Sequence, residues 1–357
     1  MGPACSRPII RRAWSSRSRS SSRSPDSLPR HNTLPGSIPQ KSKASERMLG
    51  VVRWYLSAIF NVKRDDGILK PYSPILGEVF RCSWSFDHSS PQNNEVVKSG
   101  PIPTARSNDV TFVAEQVSIM PPVSCMYCEH AEGGISFVGH MMPQAFCVGA
   151  YVQVHVAGQG TVSVQPYSEE YTVAFPSGCI RSVDTSRPWF EFCGNVNISC
   201  AQTGYRGNIK FLAKAPRADG QKHRVFIEVF NPIFKKPFIR IQGCWNGMME
   251  AHWASGEMEQ FLDAEDLRQR KRQPEHYIAT EGEESNDSRW VWRSVTVSLQ
   301  VRNIKEAEKH KREIENATMK IQRAFAKKGS KYESKLFEKV GDNYVFKQNL
   351  KSRTGSP

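Results

Sequence analysis

The chain has 357 residues, which is enough for one large domain or two ordinary ones with a sizeable core. It carries 49 Lys and Arg against 35 Asp and Glu, a formal net charge of +14, and 39% of its residues are hydrophobic. This composition excludes a wholly disordered chain. It also excludes a membrane-embedded one, because the charge-free apolar stretches are far shorter than the roughly 18 residues of a spanning helix. The positive balance alone suggests nucleic-acid binding.

The positive charge is concentrated near the N-terminus. Residues 1–47 carry ten Lys or Arg and two acids, a net +8, and residues 48–357 carry the other +6. Residues 1–45 also hold twelve Ser and little apolar periodicity, so we expect a disordered basic tail. An organellar transit peptide has a similar composition, but we prefer a tail that contacts acidic lipid, and the segment shows no secretory signal pattern.

The nine cysteines predict free thiols in a reducing cytoplasm, because an odd number in a long chain does not suggest a disulfide framework. Cys125 and Cys128 form a CxxC pair with His130 and Cys147 nearby, a spacing that resembles half of a zinc site. The surrounding residues are typical of a strand, however, in which residues three apart face opposite sides. The sequence has no second CxxC, so we predict no metal site.

A mainly β fold is predicted for the middle of the chain. After a helix capped by Ser45, residues 75–301 show mainly strand and turn patterns. We expect a turn at Gly158-Gln-Gly160 and strand-like segments at residues 225–230 and 290–297. The short intervals between turn signals favour an antiparallel sheet that curls or closes.

A long C-terminal helix is predicted from Asn303 to Lys327, where Glu, Lys, Ala and Arg dominate. Its apolar stripe is interrupted by Lys311, with Glu315 one turn further on. Lys311 either extends along apolar surface to reach water or points to an anion at the mouth of a cavity. In either case Glu315 is placed to pair with it.

The sequence contains no recognised catalytic motif: H-E-x-x-H, G-x-S-x-G and the Walker loop are all missing. We therefore predict a protein that is not an enzyme and uses no cofactor.

Several stretches resemble the lipid-binding domain of the oxysterol-binding protein family. They are KPYSPILGE from Lys70, close to the family's KP(F/Y)NPxLGE; EQVSIMPP from Glu115, close to EQVSHHPP; RPWFEF from Arg187; KPF from Lys236; GCWNG from Gly243; and ERMLGVVRWYL from Glu46. Their order and spacing match the family, so we assign residues 46–351 to such a domain. The sequence before Glu46 does not resemble the family's N-terminal lid.

The resemblance implies a large, nearly closed antiparallel barrel around a tunnel for one lipid. Members of the family extract sterol or phosphatidylserine from one membrane and exchange it for phosphatidylinositol 4-phosphate at another. The expected partners are therefore one of these lipids and anionic membrane surfaces. The expected location is the cytoplasm, peripheral to organelle membranes.

The resemblance also implies a lipid headgroup site. Lys70 matches a lysine that contacts phosphate, Ser73 stands where the family has an Asn that helps to hold headgroups, and Lys311 and Glu315 match a pair on the C-terminal helix.

Three further positions depart from the family pattern. The two histidines that contact the 4-phosphate fall on Ile119 and Met120, and an expected arginine falls on Met319. Each lost charge-assisted contact removes about 1.5–3 kcal/mol. We hypothesise that sterol or another apolar lipid binds better than phosphatidylinositol 4-phosphate.

Other functions have less support than lipid transfer. Gln260–Asp266, with acidic residues before it, loosely resembles the acidic motif that docks relatives on endoplasmic-reticulum receptors, but a structural role inside the domain is the preferred interpretation. A lipid sensor or scaffold that transfers nothing is the alternative function. Nucleic-acid binding has only the net charge in its favour, so we do not expect it.

Overall fold

The computed structural model describes most of the chain after the predicted tail. The described residues are 37–60, 72–85, 95–149, 151–182, 188–213, 221–269, 275–276, 285–329 and 332–355. Lys70 and residues 1–36 of the predicted tail lie outside these ranges.

One large antiparallel sheet with helices before and after it forms the domain. The helices are α1 (Ala44–Phe60), α2 (Ala264–Gln269), α3 (Ser288–Val291), α4 (Arg293–Gln300), α5 (Ile304–Lys328) and α6 (Leu350–Thr354). The strands are β1 (Val79–Trp84), β2 (Val110–Ile119), β3 (Pro122–His130), β4 (Ile135–Val148), β5 (Tyr151–Val164), β6 (Glu169–Ala174), β7 (Ser177–Arg181), β8 (Trp189–Cys200), β9 (Arg206–Leu212), β10 (Arg224–Phe230), β11 (Ile239–Cys244), β12 (Met248–Trp253), β13 (Met258–Asp263), β14 (Glu275–His276), β15 (Phe337–Val340) and β16 (Asn343–Phe346).

The large sheet is almost a simple meander. Its order is β13-β12-β11-β10-β9-β8-β6-β5-β4-β3-β2-β1-β14, with β7 paired to both β5 and β8. This confirms the predicted mainly β class with flanking helices and a long C-terminal helix. The edge strands β13 and β14 are not paired with each other in the described residues, so closure into a barrel stays a prediction.

Helix α1 packs against the inner face of the sheet. One core cluster joins its apolar side, including Met48, Val52 and Leu56, to inward-facing residues of strands from β1 to β13. The sheet therefore curls around this helix. Its outer face is covered near β2 and β3 by the β15–β16 hairpin, where Phe337 and Phe346 are buried.

A buried ion pair fixes the start of α1. The Arg47 guanidinium donates to the Glu169 carboxylate, with Nε 2.8 Å from Oε2, and also to the backbone oxygens of Lys41 and Ser42. Its carbon Cζ lies 3.6 Å from the centre of the Tyr167 ring. Because both charges are buried and satisfied, the register of α1 against β6 is fixed.

The predicted tail extends too far at its C-terminal end. Ile38 is 2% exposed and belongs to the core cluster, where it contacts the turn of α1 at Gly50. Helix α1 begins at Ala44, and the amide of Arg47 donates to the Lys43 oxygen, so Ser45 lies inside the helix and does not cap it. A single isolated apolar residue gave no periodic signal from which this packing could be predicted.

The predicted turn at Gly158-Gln-Gly160 is wrong, because these residues lie inside the continuous strand β5. A Cβ on Gly158 would lie 2.2 Å from the His140 oxygen, and one on Gly160 would lie 2.4 Å from the Phe137 ring. The glycines therefore permit close approach of neighbouring groups within the sheet.

Residues 290–297 form the end of α3 and the start of α4, which corrects the strand-like prediction. The Asp287 side chain accepts from the Arg289 amide and caps α3. Trp292 and Val295, three residues apart, are both buried. By contrast, β10 matches the predicted strand, and α5 begins and ends within one residue of the predicted helix.

The CxxC pair lies on β3 as predicted, and its two thiols belong to clusters on opposite faces of the sheet. The cysteines of the described residues are free, and no group of three side chains suited to a metal ion occurs among those residues.

The close approach at Gly158 gives a stability prediction. Gly158 has φ +109°, and Gly256 has a similar φ of +94° with nothing within 4 Å of where a Cβ would lie, which makes it a matched control. We expect Gly256→Ala to cost about 1–2 kcal/mol through backbone strain alone. Gly158→Ala should cost at least about 1 kcal/mol more, because the backbone oxygen of His140 cannot move freely. Equal losses in urea unfolding would contradict this explanation.

Candidate functional site

The KPYSPILGE and EQVSIMPP motifs are joined by backbone hydrogen bonds. The Gly77 amide donates to the Gln116 oxygen at 2.8 Å, and the Gln116 amide donates to the Glu78 oxygen at 3.0 Å. Gly77 has φ +77°, and a Cβ there would lie 2.9 Å from the Tyr332 hydroxyl. Only glycine fits this junction without strain.

The Glu78 carboxylate joins the first motif to the helices after the sheet. It accepts from the Ile75 amide at 2.8 Å, the Ser288 hydroxyl at 2.6 Å and Trp292 Nε1 at 3.0 Å. Burial raises the pKa of Glu78, and these hydrogen bonds oppose the shift. The contacts fix α3 and α4 against the beginning of β1.

Trp292 then connects the first motif to the long helix. The Tyr72 ring stacks on it at 4.6 Å between centroids, and the Tyr72 hydroxyl lies 2.9 Å from Thr296 Oγ1. The same cluster includes Ala307 and Ile314 of α5. As a result, one apolar cluster positions both Ser73, the residue after Tyr72, and the turn of α5 around Ile314.

The Glu115 carboxylate holds the segment that follows α5. It is 1% exposed and accepts from the hydroxyls of Tyr332 and Ser334 and from the amides of Lys335 and Leu336. A buried carboxylate with four donors is well satisfied. Its role in this structure is to position the C-terminal segment.

Three of the predicted headgroup residues lie beside members of one apolar cluster. Ser73 is exposed next to Tyr72, and Lys311 and Glu315 flank Ile314 on the helix that packs against the same cluster. Lys311 Nζ lies 3.5 Å from Glu315 Oε1, and the two side chains are 21% and 44% exposed. Their pairing therefore leaves both within reach of water. The remaining predicted residue, Lys70, lies outside the described residues.

The three positions that are predicted to depart from the family's headgroup pattern carry Ile and Met side chains. Ile119 ends β2, Met120 begins the turn that leads to β3, and Met120 is 78% exposed. Gln116 and Ser124 lock the strands beneath this turn, with Ser124 Oγ donating to Gln116 Oε1 at 2.6 Å. Met319 on α5 is 44% exposed.

The sequence motifs do not predict the positioning roles of Glu78, Glu115 and Trp292. A charged residue inside an apolar strand motif was the available signal, because a buried charge requires partners. The partners that join distant segments are about 210 to 220 positions away in the chain, for example Ser288 for Glu78 and Tyr332 for Glu115.

The acidic segment at Gln260–Asp266 has a structural role in the domain. Phe261 is 4% exposed, belongs to the core cluster and lies beneath Arg53, whose Cζ is 4.6 Å from the ring centre. A receptor could reach this ring only if β13 left the sheet.

Across the described residues, no helix has the length and apolarity required to cross a membrane.

Comparison with known proteins identifies the class. The model of the oxysterol-binding protein family matches residues 31–354, and the chain belongs to this family. This confirms the resemblance seen in its motifs and the prediction that it is a binding protein and not an enzyme.

Its relatives include the oxysterol-binding protein-related proteins 9 and 11. The chain is 39% identical to protein 9 of Mus musculus and of Homo sapiens over 91% of its length, and 33% identical to human protein 11 over 90%. It spans 44% of the length of each of these relatives.

Solved structures share the fold. The Osh3 ORD of Saccharomyces cerevisiae, in complex with PI(4)P, superposes with a TM-score of 0.66 at 17% identity and covers 91% of this chain and 83% of its own. The Osh1 ORD domain in complex with cholesterol gives 0.65 at 19% identity, covering 90% and 79%.

The buried Glu78 carboxyl gives a pH-dependent prediction. A carboxyl whose pKa is higher in the folded state stabilises the fold most below its unfolded pKa, here about 4.5. This contribution is lost as pH rises through the folded pKa. We expect the Glu78→Gln variant to have a free energy of unfolding roughly 1–3 kcal/mol lower than wild type near pH 4. The difference should narrow as pH rises.

Urea unfolding at several pH values from about 4 to 7 measures how this stability difference changes with pH. Glu338→Gln, at an exposed position of β15, is the matched control and should change stability by less than about 0.5 kcal/mol. A difference for Glu78→Gln that widens with pH would show that the folded state favours the charged carboxylate.

Proposed function

We propose that this domain binds a membrane lipid within its curled sheet and carries it between membranes, with sterol or another uncharged lipid preferred over phosphatidylinositol 4-phosphate. The observation that carries the preference is the turn between β2 and β3, which presents Ile119 and Met120 instead of hydrogen-bond donors. A phosphate there would lose water without gaining charge-assisted partners, which is unfavourable.

The inner surface of the sheet supports an apolar cargo. Its core cluster contains aromatic and aliphatic side chains from strands β1 to β13. Hiding apolar lipid surface from water gains about 25 cal/mol per Å². The tunnel itself is part of the proposal. Among the structural neighbours, the Osh1 ORD domain is found with cholesterol and with ergosterol, and the Osh3 ORD with PI(4)P.

The remaining headgroup residues have a secondary role in this proposal. Lys311 and Ser73 supply one cation and one hydroxyl, and Lys70 is expected to add a second cation. Because Lys311 lies 3.5 Å from the Glu315 carboxylate, the local positive potential is reduced. Such a site suits the hydroxyl of a sterol or a weakly anchored headgroup. The proposed place of action is the cytoplasmic surface of organelle membranes.

A transfer experiment between donor and acceptor liposomes tests the function. Labelled sterol, phosphatidylserine and phosphatidylinositol 4-phosphate are offered separately to the full chain. We expect sterol to move faster than either phospholipid. Rapid phosphoinositide transfer would overturn the proposed preference, and transfer of none of the three would favour the sensor or scaffold function.

The turn between β2 and β3 allows a gain-of-function test. Ile119→His with Met120→His restores two imidazoles and should increase extraction of phosphatidylinositol 4-phosphate at least tenfold, because two charge-assisted contacts are gained. Met248→His, at another exposed methionine that begins a strand, is the matched control. No increase in the double variant would show that this turn does not contact the phosphate.

A further inference from the structure

The loop between β10 and β11 presents an apolar tip to solvent. Ile233 is 80% exposed and Phe234 is 64% exposed, although both are large hydrophobic side chains. The next two residues, Lys235 and Lys236, are also exposed. Neighbouring exposed apolar residues combined with cations commonly mark an interaction site.

The loop is held in a defined conformation. The Asn231 side-chain oxygen accepts from the amides of Ile233 and Phe234 at 3.0 and 2.7 Å, which closes the turn. At its far side the Phe238 amide donates to the Val229 oxygen at 2.9 Å. The Phe238 ring packs against Tyr205 at 6.0 Å between centroids. The tip therefore projects from a fixed base.

The tip lies at the end of the sheet opposite the turn between β2 and β3. In an antiparallel sheet, connections alternate between the two ends. Following the strand pairing across the sheet, loop 231–238 lies at the same end as turns 131–134 and 201–205. The turn after Ile119 lies at the other end. The loop is thus separate from the proposed headgroup site.

We propose that residues 231–236 form a membrane-insertion loop that docks the domain on bilayers containing anionic lipid. A convex tip with two apolar residues offers far less area than the roughly 800 Å² that each partner buries in a stable protein interface. A bilayer, by contrast, accepts such a tip directly, with Ile233 and Phe234 below the headgroups and the lysines at the anionic surface.

The charges on the neighbouring β12–β13 hairpin show which residues can attract anionic lipid to this end of the sheet. Glu257 and Glu259 are exposed beside Met258 at the start of β13, so this hairpin does not add positive potential. The preference for anionic lipid therefore comes from Lys235 and Lys236, with support from the exposed Arg206, whose Cζ lies 4.8 Å from the centre of the Phe230 ring at the base of the loop.

Vesicle co-sedimentation of the full chain tests the proposal, with phosphatidylcholine vesicles compared with vesicles that also contain phosphatidylserine. We expect Ile233→Ser with Phe234→Ser to lower partitioning onto both vesicles at least tenfold. Lys235→Ala with Lys236→Ala should lower only the phosphatidylserine-dependent part, by about fivefold per lysine, and should reduce its sensitivity to salt. Met248→Ser, at an exposed methionine of the opposite end, is the control and should leave partitioning unchanged.

Binding of a fluorescent sterol in solution separates this proposal from the proposed function. The Ile233→Ser, Phe234→Ser variant should bind sterol as the wild type does, while its partitioning onto vesicles falls. Unchanged vesicle binding by this variant would overturn the membrane-insertion loop. A dimer of the wild type in solution that the serine variant converts to monomer would also overturn it, since the tip would then be a contact between copies.

Discussion

Two buried carboxylates hold the C-terminal part of the domain onto its sheet. Glu78 comes directly before β1 and Glu115 lies on the neighbouring strand β2, and each would be costly to bury without hydrogen-bond donors. Glu78 finds its donors in its own motif and at α3 and α4, and Glu115 finds them just after α5. Because α5 lies between these two attachments in the chain, they limit where it can pack against α4 and Trp292.

The position of α5 in turn decides what the candidate site can bind. The helix places Lys311 and Glu315 on either side of Ile314, which packs into the cluster around Trp292. The fold is that of the family, whereas Ile119, Met120 and Met319 are the positions predicted to make the site less cationic than the family pattern. The net charge of +14 therefore says little about this site, since more than half of it belongs to residues 1–47.

Much of the fold could be predicted because its signals are local. Helix α5 has a strong composition and apolar stripe, β10 has a continuous apolar run, and the motifs identified the family. The hydrogen bonds between motifs could not be predicted, since they join residues up to about 220 positions apart. The sequence predicts a turn at Gly158 and Gly160, because it cannot show that a neighbouring ring and carbonyl occupy the space of a Cβ. Residues 290–297 contain β-branched and aromatic residues that favour strands, but the packing of Trp292 and the Asp287 cap select a helix.

The headgroup site stays a prediction from the motifs. The motifs identified Ser73, Lys311, Glu315 and the three departing positions, whereas the residues that hold them in place emerged only from the structure. Our main proposal is that this fold holds an uncharged lipid. Mass spectrometry of lipids that co-purify with the full chain tests it most directly. We expect a sterol or another uncharged lipid at about one molecule per chain, and a phosphoinositide as the main bound lipid would contradict the proposal.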